Sequence, residues 1–169
     1  MDEHYTILQK ELYEKVGELS ILYAKLEFNV SKILSMLINS DDETISIYLL
    51  ERNTLQKNLE LLRNFNRLRD FRSDDIEQLM ISINKVKDRR NLFIHGLWSK
   101  PSIREGQKIA YCEERKIKYT KQNERGHQQW NFNTFYKFTY DDLGEQIGEI
   151  RNIIDIQKRL IKELDDYRF

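Results

Sequence analysis

From Tyr5 to Leu37 the apolar residues return in steps of three and four: Tyr5, Leu8, Leu12, Val16, Leu19, Leu22, Leu26, Val30, Ile33 and Leu37. Such spacing places one continuous apolar stripe along an α-helix, which other elements must cover. The pattern predicts a long helix from about Asp2 to Ile38, with Gly17 as the place where it could break. "NSDDET" supplies turn residues and N-cap candidates. A second helix is expected from about Glu43 to Arg69, with Ile45, Tyr48, Leu49, Leu55, Leu59, Leu62 and Phe65 inward. "FRSDDIEQ" then interrupts the period, and Asp74 and Glu77 have the spacing of a capping box. A third helix carries Ile76, Leu79, Met80, Ile83 and Val86 and is ended by Gly96, before the only proline, Pro101.

The period then changes to two. Ile109 and Tyr111 alternate, Ile117 and Tyr119 follow, and Trp130, Phe132, Thr134, Tyr136, Phe138 and Tyr140 form a clean series. Alternating aromatic and β-branched residues indicate strands, here an antiparallel hairpin over about 108–140 with an aromatic face. "TYDD" opens a last helix with Leu143, Ile147, Ile150, Ile154, Ile161 and Leu164 inward. The expected architecture is mainly α: a bundle of about four long helices, with a β-hairpin inserted before the last helix. Residues 1–169 form a single domain in this reading.

Lys plus Arg and Asp plus Glu each number 28, for zero net charge. This balance argues against a protein that coats nucleic acid by bulk charge, and it leaves room for a local basic groove. One cysteine, Cys112, cannot staple a fold, and no Cys/His set has zinc spacing. The N-terminus lacks the apolar core of a signal peptide, and no apolar run nears the ~20 residues that cross a bilayer. A cytoplasmic, reducing location and no membrane association are expected.

The stretch "DRRNLFIHGLW", residues 88–98, carries the chemistry. Arg90 falls where the stripe of the third helix calls for an apolar residue. A lone guanidinium is costly to bury, so it must snorkel or line a cleft or interface where an anion meets it. Asn91 and His95 are i, i+4 neighbours on the flank of that stripe. Arginine presents a planar fork to phosphate oxygens, histidine titrates near neutrality, and an amide can orient either. The set suits phosphodiester chemistry without a metal. Each residue also has an ordinary structural use, the histidine as a helix C-terminal cap and the arginine as an apolar stem with a solvated head.

Arg90-Asn91-x-x-x-His95 followed by glycine, near the end of a long helix in a helical domain, resembles the HEPN superfamily (higher eukaryotes and prokaryotes nucleotide-binding). The resemblance spans residues 1 to about 98 and the last helix. It implies a metal-independent endoribonuclease, without cofactor, of the kind found as toxins and in antiviral defence. It further implies a homodimer through the helix carrying Arg90, with two motifs facing one composite cleft and an antitoxin or defence protein as a further partner. In that picture RNA is cut by 2′-OH attack, Arg90 binds the scissile phosphate, His95 moves the proton and Asn91 orients. Leu97 and Lys87 depart from the tyrosine and the acidic residue that some members carry at these positions. Lys87 and Arg89 are candidate RNA contacts, and Glu27 is a candidate acidic partner for Arg90. A non-catalytic HEPN-like module that binds nucleotide or RNA, or scaffolds a partner, is the alternative.

Overall fold

The three-and-four spacing at the start of the chain becomes one unbroken helix, α1, Glu3–Ile38. It continues through Gly17, the place where it could have broken, without interruption. Its buried face includes Leu8, Leu12, Leu19, Leu26, Val30, Ile33 and Leu37, as the period requires, and adds Tyr23 and Leu34. The computed structural model describes residues 3–38, 48–50, 52–114, 118–122, 127–131 and 134–167.

The second helix is shorter than its apolar pattern. Residues 48–50 are helical, the chain turns at Asn53, and α2 then covers Leu55–Arg69. Thr54 makes the break: its backbone is extended and its hydroxyl accepts from the Lys57 N–H. Tyr48 and Leu49 were expected inward but are exposed, while Leu50 is buried; Ile45 lies outside the described residues. Asp70 ends α2 in a left-handed conformation, and Arg72 follows with φ of 43°. Between them Phe71 is buried. The third helix, α3, Ser73–His95, begins a residue before the expected cap. Asp74 is therefore inside its first turn, where a carboxylate favours the dipole, and Glu77 pairs instead with Arg63 at 3.1 Å.

The sheet exceeds a simple hairpin. Short strands β1 (Leu97–Trp98) and β2 (Ser102–Arg104) precede β3 (Gln107–Glu114), and both pair antiparallel with it. A two-residue turn links β2 to β3, with positive φ at both Glu105 and Gly106, as the tight hairpin turn demands. Next come β4 (Lys118–Gln122), β5 (His127–Asn131) and β6 (Thr134–Thr139). β3 pairs antiparallel with β6, from Ile109 opposite Thr139 to Glu114 opposite Thr134. β4 pairs with β5, and its register differs from that of β3 and β6 by one residue. The single strand expected over Trp130–Tyr140 is thus two strands in two ladders; the turn residues 123–126 and Ile117 and Phe132 lie outside the described residues. The last helix, α4, is Tyr140–Asp166.

The protein is mainly helical, with a small antiparallel sheet before the last helix. Its contacts cluster in two units, Met1–Ser20 with Asp88–Ile147 and Ile21–Lys87 with Gly148–Phe169. In the second unit, buried polar groups tie helices that are far apart in sequence. The Tyr23 hydroxyl donates to the Val86 carbonyl at 2.8 Å. The Asn29 amide donates to Gln157 Oε1, and Gln157 Nε2 donates to the Leu26 carbonyl. In the first unit, Tyr140 OH donates to the Leu8 carbonyl at 2.7 Å, and burial, then Glu11 and Tyr5, push its pKa up to about 12.

Candidate functional site

Positions 76, 79, 83, 86, 90 and 93 of α3 follow each other in steps of three and four. Five are buried apolar residues, Ile76, Leu79, Ile83, Val86 and Phe93, and the sixth is Arg90. Beyond Arg90 the stripe continues through Phe93 rather than through Ile94 and Leu97, which was the expected path; Leu97 is 48% exposed. The reason is the sheet. Phe93 stacks on Trp98 at 6.0 Å and meets Phe138 at 5.2 Å, and Trp98 and Phe138 are 5.6 Å apart. These three rings dock β1 and β6 on the end of α3.

Arg90 is half-buried, and its Nε is shielded from solvent. One terminal nitrogen, NH1, donates to Asn91 Oδ1 at 3.0 Å, so the amide beside the arginine orients its guanidinium. Asn91 and His95 are both exposed. They lie four residues apart on one side of the helix. Arg90 and His95 are five apart, about 140° around the axis at ~100° per residue. In one chain, therefore, Asn91 stands between the other two rather than all three converging on a point.

Gly96 follows for a steric reason. A Cβ there would lie 2.2 Å from Cys112 Sγ and 2.4 Å from the Leu92 carbonyl oxygen. Its φ is not positive, so it ends the helix by this close approach and not by a left-handed turn. The Leu92 carbonyl accepts from both Gly96 N–H and Cys112 Sγ, which holds β3 against the helix end. Burial, and then Glu114, raise the Cys112 thiol to about 11. That keeps it protonated at neutral pH, in line with a packing residue.

The remaining candidates belong to both units. Arg89 is exposed, and its NH1 donates at 3.1 Å to Gln146 Oε1, whose residue is buried. Lys87 donates to Gln56 of α2 and belongs to the second unit. Glu27 is half-buried on α1, also in the second unit, and its carbonyl accepts from the Ser31 hydroxyl. Sequence reasoning missed Gln146 and Trp98. A signal existed for the first: a glutamine between Leu143 and Ile147 on an apolar stripe poses the same question as Arg90.

A cleft of about 540 Å³ opens beside this end of α3. Asp88, Arg89 and Leu92 border it from the helix, Glu114 from β3, and residues 135–138 from β6. Among the described residues no three His, Cys, Asp or Glu side chains are grouped to hold a metal ion, and no helix is long and apolar enough to cross a membrane. Comparison with protein-family models, curated proteins and solved structures returns no match.

Proposed function

We propose that this protein is a metal-independent endoribonuclease of HEPN type, acting in a toxin or phage-defence setting. In this reading its helices form the HEPN bundle and the sheet is an insertion. The observation that carries the proposal is Arg90 itself: a half-buried guanidinium on an otherwise apolar stripe, oriented by Asn91, five residues before an exposed histidine. Arg90 binds the scissile phosphate and stabilises charge in the transition state. His95 carries the proton to or from the attacking 2′-OH or the leaving 5′-oxygen. The angular separation of Arg90 and His95 supports a site completed by a second copy through α3, so that the arginine of one chain serves with the histidine of its partner.

The test is RNA cleavage in the presence of a chelator. Arg90→Ala and His95→Ala should each lower the rate by about 10²-fold or more, the usual scale for a general acid–base group. Asn91→Ala should lose less, because it acts through the guanidinium. Variants that cut as well as the parent overturn the assignment. The Arg90–Asn91 bond also suits a non-catalytic module that holds RNA; parent protein that binds RNA but leaves it intact identifies that case.

A further inference from the structure

We propose that the open edge of β6 pairs antiparallel with the same edge of a second copy, so that the sheets of two chains join into one. This contact is separate from the α3 seam of the functional reading and involves no RNA. The direction of the β6 backbone follows from its neighbours. The Thr139 N–H goes to Asp142 Oδ2 rather than to Ile109 across the ladder. On β3, the Tyr111 N–H donates to the Ser99 hydroxyl and the Tyr111 carbonyl accepts from the Ser99 N–H, both away from β6. Opposite residues of an antiparallel pair either exchange both backbone bonds or turn both groups away from each other. Ile109–Thr139 and Tyr111–Lys137 are therefore of the second kind, and by alternation so is Glu113–Phe135. The N–H and C=O groups of Phe135 and Lys137 thus point out of the sheet edge, and among the described residues β6 pairs with no strand but β3.

Proteins usually protect such edges by keeping them short, bulged, broken by proline or heavily charged. On the far side of β3 the edge strands are β1 and β2, of two and three residues. β6 has six residues in unbroken register, no proline and one charge, Lys137. Phe135 is 63% exposed. The cleft of about 540 Å³ is lined by residues of both faces of β6, 135 and 137 as well as 136 and 138, so it runs along this edge and leaves room for an added strand.

A second copy fits because β6 is complementary to itself in one register. With Tyr136 on the two-fold axis, Phe135 of each chain lies opposite Lys137 of the other, and every outward N–H and C=O of these residues finds a partner. Phe135 and Lys137 share the outer face of the sheet, so each ammonium meets an aromatic ring. Tyr136 is on the inner face, where Asp88 and Arg89 border the cleft as polar partners for the hydroxyl of the added strand. Moving the axis to Lys137 sets two ammoniums against each other, which repels. Moving it to Phe135 carries the pairing past Thr134, where β6 begins. Asp142 already occupies the Thr139 N–H, which ends the usable edge on the other side. An extended segment of another protein is the other occupant such an edge admits; the match of β6 to itself favours the second copy.

The experiment is analytical ultracentrifugation of the full chain over a dilution series, with circular dichroism to show that each variant folds. A strand edge is a small interface, so we expect self-association with Kd on the order of 0.1 mM. Phe135→Lys sets ammoniums opposite each other and should weaken association by about tenfold. Adding Lys137→Glu places opposite charges in both pairs and should bring association back, which damage to the fold would not allow. In a Cys112→Ala background, which removes the thiol across the ladder from position 136, Tyr136→Cys should form a disulfide between copies under mild oxidation faster than Lys137→Cys does. A parent that stays single at every concentration overturns the proposal and leaves the edge to another protein. Phe135→Lys that associates like the parent, a double variant that does not recover, or faster cross-linking at position 137 overturns it as well. None of these readouts depends on RNA cleavage.

Discussion

Gly96 shows how one position is set by its neighbours. Any side chain there meets Cys112 Sγ at 2.2 Å and the Leu92 carbonyl at 2.4 Å. Gly96→Ala should therefore destabilise the protein by about 1–3 kcal/mol, the scale of overpacking in a filled interior. Adding Cys112→Ala removes the sulfur but not the carbonyl. The double variant should thus recover only part of the loss that chemical denaturation measures for the glycine change. Full recovery would place the whole conflict at the thiol. Cys112 should also resist alkylation until the chain unfolds, because burial and Glu114 hold its thiol at about 11. Arg90 could be singled out from the sequence, since a charged residue on an apolar period is visible without coordinates. Its tie to Asn91 could not, because an arginine has many rotamers and only packing selects one.

At the scale of elements, the junction of β6 and α4 is the best-defined boundary. The Thr139 N–H donates to Asp142 Oδ2 at 2.7 Å, and the Asp142 N–H donates to the Thr139 hydroxyl at 3.0 Å. This is a reciprocal capping box with aspartate in the acidic position. Thr139→Ala should cost about 1 kcal/mol, read from the denaturation midpoint. The Thr139 backbone N–H first, and then the Thr139 side chain, hold the Asp142 carboxyl below its ordinary 3.8, and Arg89 and Lys137 add to this. A depressed folded pKa means that the stabilisation is present above the ordinary carboxylate range and is lost as pH falls through the folded value. Asp142→Asn should therefore flatten the acid limb of stability against pH. An unchanged acid limb would show that the carboxylate makes no net contribution. "TYDD" announced this helix start in the sequence. The break at Thr54 was not announced in the same way, because Tyr48, Leu49 and Leu55 continue a helical period across it.

At the scale of the whole molecule, buried amides tie stretches of chain that are far apart in sequence. Asn29 and Gln157 are 128 residues apart, and Gln157 also reaches the Leu26 carbonyl. Both are buried, at 6% and 0% exposure. Gln157→Leu should cost about 1–3 kcal/mol, because the Asn29 amide loses its bond in a dry setting. The double change Asn29→Leu with Gln157→Leu should cost less than the sum of the single changes. Strict additivity in urea denaturation would show that the two amides do not act as a pair. By contrast, exposed pairs such as Lys10–Glu14 and Lys158–Asp155 should contribute little.

Helical period is a local property, so the existence of α1, α3 and α4, the alternation that makes β3 and β6, and the odd arginine at position 90 were all legible in the residues alone. The strands β1 and β2 were not, because two and three residues are too few to show a period. Nor could the chain by itself reveal why Gly96 is glycine or that Gln146 holds Arg89 from 57 residues away. Nor could it reveal that β6 and α3 leave a cleft between them. Those depend on which surfaces meet, and meeting is decided by close packing of the whole chain rather than by any window of it.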